Sequence, residues 1–392
     1  MCYYLLYMKK YFFILGNHPD LSWAELKSLF PENGWEKHGS VAFSNFSQDI
    51  NIDKLMKELG GTIKIGEIIK EISIANRQGL SKIIKKEILA QAQKSSNEKR
   101  FNFGFSLYQE KKIPGNFFKL GLAIKKDLEK INISSRLVSS QESNLSSVIV
   151  EQNNLLTSSG LELCLISNKS KVFLGKTLAV QDFKGLGQRD FGRPQRDDHS
   201  GMIPPKLAQI MLNLARGNDA DYQEKILLDP FCGSGTILME AHLMGFKNII
   251  GSDLSEKAII DSQKNIAWLD ENNDIKMMPS DVLKLEQEIS EKSIDYIVCE
   301  PYLGPQRGYK DFNEIVSELN DFYSDFLKVL FKLLKKDGKL VMVWPQFKAN
   351  DSTWKINPNV GNFLIGDKSF LYGRTGQKVW REIIILSKKN GV

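Results

Sequence analysis

The sequence contains few residues of the types that crosslink a chain or bind metal ions. Among 392 residues there are four cysteines and four histidines. The cysteines (Cys2, Cys164, Cys232 and Cys299) lie far apart and form no Cys-x-x-Cys pair. We therefore expect neither a disulfide framework nor a zinc cluster, and we predict no metal site. This cysteine usage is typical of a protein from the reducing cytoplasm.

Long apolar runs, repeats and low-complexity tracts are also missing. No run reaches the ~18–20 apolar residues that cross a bilayer, so we expect no membrane association. Lys9 and Lys10 interrupt the apolar start, and no cleavage site of small residues follows, which favours a first strand over a signal peptide. With 42% hydrophobic and 26% charged residues, the chain has the composition of an ordinary globular protein.

Charge is distributed unevenly along the chain. Residues 1–180 hold 25 Lys and Arg against 17 Asp and Glu, whereas residues 181–392 hold 28 against 30. A basic half beside a near-neutral half suggests a module that binds a polyanion, joined to a body with another task. We predict a basic α+β region over 1–180, a linker over 181–203 that is rich in turn formers, and a second domain over 204–392.

The two halves differ in their hydrophobic pattern. In the first half, apolar runs and helical spacing predict a small α+β assembly. Its strands are predicted at 11–15, 62–72, 101–107, 136–138, 161–166 and 172–179, and its helices at 22–29, 82–92 and 116–131. In the second half, strands and helices alternate, which is typical of a parallel sheet flanked by helices.

The elements of the second half can be placed closely. Strands are predicted at 226–229, 248–253, 276–278, 294–299 and 339–344, and helices at 204–217, 236–244, 255–269 and 322–334. Residues 370–372 and 379–386 predict an antiparallel pair at the sheet edge.

One segment of the second half runs from a strand through glycines into a helix. The strand at 226–229 ends in Asp229, and Gly233 and Gly235 precede the helix that begins at Thr236. Glycines let a backbone approach a ligand closely, and a helix N-terminus offers free N–H groups. No lysine follows the glycines, which excludes a phosphate loop, and Leu238 stands where a dinucleotide motif requires glycine.

Acids follow three successive predicted strands. Asp229, Asp253 and Asp281 each come at or just after a strand end. In such folds the second acid holds ribose hydroxyls, and the third is placed to accept from an adenine amine. Three carboxylates suit a cationic nucleoside better than a polyphosphate, and we therefore predict S-adenosylmethionine as the cofactor.

Residues 229–241 (Asp-Pro-Phe-Cys-Gly-Ser-Gly-Thr-Ile-Leu-Met-Glu-Ala), 251–255 and 299–302 resemble class I amino-methyltransferases that modify nucleic acid. Residues 193–194 and 200–215 narrow the resemblance to the THUMP-domain RNA methyltransferases, in particular those that methylate guanosine N2 in tRNA. Residues 13–26 are also similar to that family. The resemblance implies a Rossmann-like class I domain preceded by ferredoxin-like and THUMP regions that grip tRNA. Cofactor contacts are predicted from Pro204, Asp229, Pro230, Phe231, Gly233, Gly235, Thr236, Asp253, Leu254, Asp281 and Val282.

The predicted catalytic segment is Cys299-Glu300-Pro301-Tyr302. The family usually has an acid or Asn followed by Pro-Pro-Tyr or Pro-Pro-Phe, so Cys299 falls on the acid position and Glu300 on the first proline. We expect Glu300, one residue after the family's acid position, to accept from the target amine, and we expect Tyr302 to stack on the base. Cys299 as a covalent nucleophile is an alternative, because a thiolate is used in cytosine-C5 methylation.

Phosphate contacts are predicted from arginines of the linker and of the loop after the catalytic segment: Arg189, Arg193, Arg196 and Arg307. The predicted activity is methylation of the N2 amine of a guanosine in tRNA. Two alternatives stay open, namely a DNA adenine-N6 or cytosine-N4 methyltransferase and an RNA-binding protein without catalysis. The sequence also leaves room for a small activating protein subunit.

Overall fold

The computed structural model describes residues 8–47, 50–73, 79–95, 100–196, 201–305, 311–349 and 352–389. The chain divides into two compact units. The first consists of Met1–Pro19, Glu32–Lys57 and Thr62–Phe183, and the second of Asp20–Pro31, Glu58–Gly61 and Lys184–Val392. The main boundary falls inside the predicted 181–203 linker, but two short N-terminal segments group with the second unit.

Ten α-helices occur among the described residues. They are α1 (Pro19–Leu29), α2 (Ile52–Glu58), α3 (Leu80–Lys94), α4 (Phe117–Lys130), α5 (Ser147–Gln152), α6 (Phe183–Gly187), α7 (Pro205–Arg216), α8 (Thr236–Leu243), α9 (Glu256–Leu269) and α10 (Phe312–Leu333). Side chains cap the N-termini of α4 and α9, because Asn116 accepts from the Lys119 N–H at 2.9 Å and Ser255 from the Ala258 N–H at 3.3 Å.

The first unit contains a mixed sheet of eight strands in the order β2-β3-β1-β4-β8-β7-β5-β6. These are β1 (Met8–Leu15), β2 (Glu36–His38), β3 (Val41–Ser47), β4 (Thr62–Ser73), β5 (Phe101–Gln109), β6 (Ser135–Val138), β7 (Gly160–Ser167) and β8 (Lys171–Val180). β5 pairs in parallel with β6 and β7, and the other pairs are antiparallel. The predicted α+β character of this half is confirmed.

A buried polar cluster lies within the first unit. Lys64, on β4, donates to Glu162 on β7 at 2.5 Å and to the Leu145 carbonyl at 2.6 Å. Thr177 donates to the second oxygen of Glu162 at 2.5 Å, and Ser106 donates to the first. A buried ion pair is stable only when its remaining donors and acceptors have hydrogen-bond partners, and these residues supply them.

The second unit contains a sheet in the order β11-β10-β9-β12-β13-β17-β15, with β14 added to β13 and β16 added to β17. Its strands are β9 (Ile226–Asp229), β10 (Asn248–Asp253), β11 (Lys276–Pro279), β12 (Ile294–Cys299), β13 (Leu334–Ala349), β14 (Ser352–Lys355), β15 (Phe363–Ile365), β16 (Phe370–Tyr372) and β17 (Val379–Lys388). The first five in the order are parallel, and β17 runs antiparallel to β13. The predicted edge pair is confirmed, since Phe370 faces Ile383 in an antiparallel register.

Both faces of this sheet are covered. Leu227 and Val298 pack with α7 and α8 on one face, whereas Leu228 and Ile297 pack with α10 on the other. This arrangement explains why the central strands read as continuous apolar runs. The register brings Asp229 beside Gly251 and Asp253 beside Pro279, so the acids of neighbouring strands meet at one edge.

Helix α1 joins the second unit through a buried carboxylate. Glu25 accepts from the Gly60 and Gly61 N–H groups at 2.9 Å each and from Asn213 of α7 at 2.7 Å. Burial raises the pKa of Glu25 to about 7, against the lowering effect of these donors and of Arg216. Four donor and charge contacts on one side chain hold Asp20–Pro31 and Glu58–Gly61 in this unit.

Several local predictions differ from the structure. Helix α1 begins at Pro19 instead of Ser22, and α10 begins ten residues earlier than predicted, at Phe312, where Asp311 caps it by accepting from the Asn313 N–H at 2.8 Å. The predicted linker, which is rich in turn formers, contains α6 and a π-helical turn, Gln188–Gly192. The pattern also missed β2, β3, α2 and α5.

No helix in the described part of the chain is long and apolar enough to cross a membrane. Cys164, Cys232 and Cys299 are free thiols, all buried.

Candidate cofactor and active site

The turn between β9 and α8 is shaped by two glycines with different constraints. Gly233 has φ +51° and Gly235 has φ +85°, both in the region that favours glycine. A Cβ on Gly235 would lie 2.3 Å from Ser262 Oγ, whereas a Cβ on Gly233 would meet nothing within 4 Å. Gly235 therefore serves the packing of α8 on α9, and Gly233 leaves open space in front of the turn.

Asp229 ends β9 and is 1% exposed. It accepts from the Phe231 N–H at 3.1 Å. Burial raises the pKa of the Asp229 carboxyl well above its usual range, the Phe231 N–H lowers it, and the carboxylates of Asp253 and Glu300 raise it further. A cation bound beside Asp229 would be stabilised by these three carboxylates together.

The other two predicted acids hold turns by accepting backbone N–H groups. Asp253 accepts from Gly233 at 2.9 Å and from Ser255 at 2.9 Å, so it links the end of β10 to the glycine turn. Asp281 accepts from Leu283 at 3.0 Å and caps the turn Val282–Gln287. Each carboxylate oxygen has a second lone pair, which leaves both acids able to accept from ligand hydroxyl or amino groups.

These residues fit a cationic nucleoside. Open space lies before Gly233, the buried Asp229 lies near the carboxylates of Asp253 and Glu300, and the Leu254 side chain, 76% exposed after the end of β10, offers an apolar surface for a base. Val282 is buried, and the Phe231 ring packs on Phe326 of α10 at 5.1 Å. The predicted cofactor contacts of Pro204, Pro230, Phe231, Leu254 and Val282 stay predictions, and Pro204 also starts α7 by accepting from the Leu207 N–H at 2.9 Å.

Two arginines with predicted phosphate contacts have protein partners in the structure. Arg193 is 4% exposed and donates to Thr236 Oγ1 at 2.6 Å and to the Met202 sulfur. Arg189 makes a bidentate pair with buried Glu240 of α8, at 2.6 and 3.1 Å. Both guanidinium groups stabilise the region around the glycine turn, because burial and internal partners leave them little surface for a phosphate.

The remaining predicted arginines differ. Arg196 is exposed, with its guanidinium 5.4 Å from the centre of the exposed Phe191 ring, and its phosphate contact stays a prediction. Arg307 lies outside the described residues.

The predicted catalytic segment follows β12. Cys299 is fully buried, and burial raises the pKa of its thiol well above the usual range, with Asp229 and Glu300 adding to the effect. A thiol held neutral is a poor nucleophile, so the covalent alternative loses support. Pro301 is buried, whereas the Tyr302 side chain is 59% exposed and free to stack on a base.

Two residues that the sequence analysis missed hold this segment. Arg381, on β17, donates from Nε to Glu300 Oε1 at 2.5 Å and from Nη2 to Oε2 at 3.2 Å. Tyr323, buried on α10, donates to the Tyr302 carbonyl at 3.1 Å and lies 3.4 Å from the Val343 carbonyl. A tyrosine in a predicted helix and an arginine in a predicted strand were the available signals, but their partners lie 21 and 81 residues away in sequence.

Asn265 of α9 is a third residue that the sequence analysis missed. It donates to the Ser234 carbonyl at 2.8 Å and to the Gln195 carbonyl at 2.9 Å. It thereby joins the glycine turn to the former linker. Within the described ranges, no group of three or more His, Cys, Asp and Glu side chains is placed to hold a metal ion.

Comparisons with known proteins agree with this geometry. Residues 193–356 match the UPF0020 family model, described as an RMKL-like methyltransferase domain, and residues 35–264 match a DNA methylase model. The crystal structure of TrmN from Thermus thermophilus has the same fold, with a TM-score of 0.57 over 97% of this chain and 100% of that chain at 18% identity.

Fold and site together define a class I methyltransferase, a class whose methyl donor is S-adenosylmethionine. A probable tRNA (guanine(10)-N2)-dimethyltransferase from Methanothermococcus thermolithotrophicus is 33% identical over 141 residues, which cover 35% of this chain and 77% of that protein. The chain belongs to that family of nucleic-acid methyltransferases.

A second relative matches this chain over only about half of its own length. The tRNA (guanine(10)-N2)-dimethyltransferase of Methanocaldococcus jannaschii is 29% identical over 184 residues, which cover 45% of this chain and 48% of that protein. The chain thus spans about half the length of this curated relative.

Proposed function

We propose that this protein methylates the exocyclic N2 amine of a guanosine in tRNA with S-adenosylmethionine as the methyl donor. One observation carries the proposal. The Glu300 carboxylate and the exposed Tyr302 ring follow the carboxyl end of β12, the strand beside β9, and Glu300 acts electrostatically on Asp229. An acceptor for an amine and a stacking surface for a base therefore lie beside the carboxylates that suit the cofactor.

The chemistry of an exocyclic amine explains these roles. Its lone pair is drawn into the ring, so the enzyme has to orient the nitrogen and accept from its N–H groups. In this proposal Glu300 would accept from N2–H, stabilise the positive charge that the nitrogen gains as it takes the methyl group, and receive the proton that N2 then releases. Tyr302 stacks on the base once it has left its helix, as enzymes acting on a base require. The cofactor supplies an electrophilic methyl group on a sulfonium.

The first unit supplies the RNA-binding surface in this proposal. Exposed lysines lie on α3 and α4, at Lys82, Lys86, Lys119 and Lys126. Such a basic surface neutralises phosphates without reading sequence. We assign this unit the ferredoxin-like and THUMP-like role that the resemblance implies. The names of the two relatives support tRNA as the substrate and guanosine 10 as the target.

The test is incubation of the full chain with methyl-labelled S-adenosylmethionine and, separately, unmodified bulk tRNA, rRNA and DNA. Digestion to nucleosides and mass spectrometry then identify the labelled base. We expect label in N2-methylguanosine or N2,N2-dimethylguanosine from tRNA. Label in N6-methyladenosine or N4-methylcytosine from DNA would replace the substrate, in line with the DNA methylase match.

A binding measurement accompanies this assay. We expect S-adenosylhomocysteine to bind in the absence of nucleic acid, because the strand-end carboxylates and the glycine turn are formed in the protein alone. Binding without label on any nucleic acid would contradict the proposed catalysis and favour an RNA-binding protein or one that needs an activating subunit.

A further inference from the structure

The Glu300 side chain is held by an arginine from another strand. Arg381 donates through two nitrogens to the two oxygens of Glu300, at 2.5 and 3.2 Å. The side chains are 13% and 11% exposed, so water competes little with this pair. The same guanidinium lies 3.4 Å from the Met202 carbonyl, which ties it to the segment that precedes α7.

The topology explains how Arg381 reaches this position. β13 lies between β12 and β17 in the sheet, and Arg381 faces Pro345 of β13 in the antiparallel register. Pro345 is three residues beyond Met342, which faces Cys299 at the end of β12. The register therefore places Arg381 level with the residues just after Cys299, of which Glu300 is the first.

Glu300 needs such an anchor for two reasons. Its side chain has three rotatable bonds, and an unrestrained carboxylate would lose conformational freedom each time it bound an amine. It also lies close enough to the buried Asp229 to raise the pKa of that carboxyl, so its own negative charge faces a second acid. A planar guanidinium with a bidentate bond fixes the direction of the carboxylate and compensates its charge.

We propose that Arg381 is a positioning residue that fixes the Glu300 carboxylate in one orientation, directed toward the target amine. Each Glu300 oxygen uses one lone pair for Arg381 and keeps another for a donor. The remaining lone pairs point away from Arg381 on opposite sides of the carboxylate, so one Glu300 oxygen can accept from the N2–H of guanine while the pair with Arg381 stays intact. The inference rests on the proposed function, since it specifies how the site would recognise guanine.

A double-mutant cycle tests the inference on the full chain with unmodified bulk tRNA and methyl-labelled S-adenosylmethionine. The variants are Arg381→Gln, Glu300→Gln and the pair combined, with Lys368→Gln as an exposed control in the same unit. We expect Arg381→Gln to lower kcat about 100-fold, the size of effect that a small misplacement of a reacting group produces. The KM for tRNA should stay within about twofold, because phosphate contacts set it.

Two further results distinguish positioning from general support. The combined variant should be no slower than Glu300→Gln alone, because Arg381 acts through Glu300. Arg381→Lys should recover part of the loss, since lysine keeps the charge but not the planar fork. Losses that multiply in the combined variant, or Lys368→Gln as slow as Arg381→Gln, would overturn the inference.

A structural measurement keeps the inference testable apart from the proposed function. Crystal structures of the wild type and Arg381→Gln should show one Glu300 rotamer in the first and a displaced or multiple one in the second. An unchanged Glu300 rotamer would overturn the inference even if tRNA were methylated. Label on another nucleoside would overturn the proposed substrate alone, and the cycle would then be measured on that nucleoside.

Discussion

At the scale of single residues, the buried carboxylates Asp229 and Glu240 have different surroundings. Glu240 receives the bidentate fork of Arg189. Asp229 accepts from the Phe231 N–H and has the carboxylates of Asp253 and Glu300 near it. A carboxylate surrounded in this way is costly to ionise until a cation arrives, which is the expected condition of a binding acid before its ligand binds.

This contrast predicts a pH-dependent cofactor affinity. The raised pKa of Asp229 favours its protonated form, whereas the amino group of S-adenosylhomocysteine favours the ionised form. Affinity should therefore rise with pH through the pKa of Asp229, by up to about tenfold per pH unit. Isothermal titration calorimetry over a series of pH values measures this dependence.

Two variants in which an aspartate is replaced by asparagine control this prediction. Asp229→Asn removes the ionisable group and should bind more weakly with little pH dependence. Asp274→Asn, an exposed acid on the same unit, should keep the slope of the wild type. An equal slope in Asp229→Asn would show that another group titrates on binding.

At the scale of elements, the former linker is part of the catalytic unit. Arg189, in the turn Gln188–Gly192, pairs with Glu240 of α8, and Arg193 bonds Thr236, the first residue of α8. Asn265 of α9 bonds to the backbone of Gln195 in the linker and to the Ser234 carbonyl in the glycine turn, and so joins these two segments. The linker thus fixes the start of α8, where the cofactor is expected to bind.

Arg189→Gln should therefore destabilise the fold. It leaves Glu240 buried without its counter-charge, a loss of about 3 kcal/mol in the free energy of unfolding. The loss should be larger near pH 8 than near pH 6, because an unpaired buried carboxyl takes up a proton as pH falls. Urea unfolding of the full chain, followed by circular dichroism, measures both.

Arg196→Gln is the matched change, seven residues further along the chain. Its guanidinium is exposed over Phe191, and such contacts contribute about 0.5–1 kcal/mol. Equal losses in the two variants would contradict the assignment of Arg189 to a structural pair.

The sequence predicted elements best where periodicity and local capping agree. β9, β10 and β12 were placed at their observed bounds, because apolar runs end there in turn formers and acids. The start of α10 was missed because the amphipathic pattern is clear only from about Phe322, while the helix begins at the cap of Asp311. The partners of Glu300 and Glu25 were missed because they lie 81 and 188 residues away in the chain.

At the scale of the whole molecule, the charge asymmetry read from the sequence falls on two separate units. The basic half corresponds to the eight-stranded sheet and its helices, and the near-neutral half to the methyltransferase sheet. Asp20–Pro31 and Glu58–Gly61 are exceptions that linear composition could not place, since their assignment depends on the buried Glu25 cluster.

The central claim is that the methyl group goes to N2 of guanosine in tRNA. The most direct test compares two tRNA transcripts that differ only at the labelled guanosine, which is replaced in one by inosine. Inosine lacks the N2 amine but keeps the rest of the base edge. The account predicts full labelling of the guanosine transcript and none of the inosine transcript, whereas equal labelling of both would contradict it.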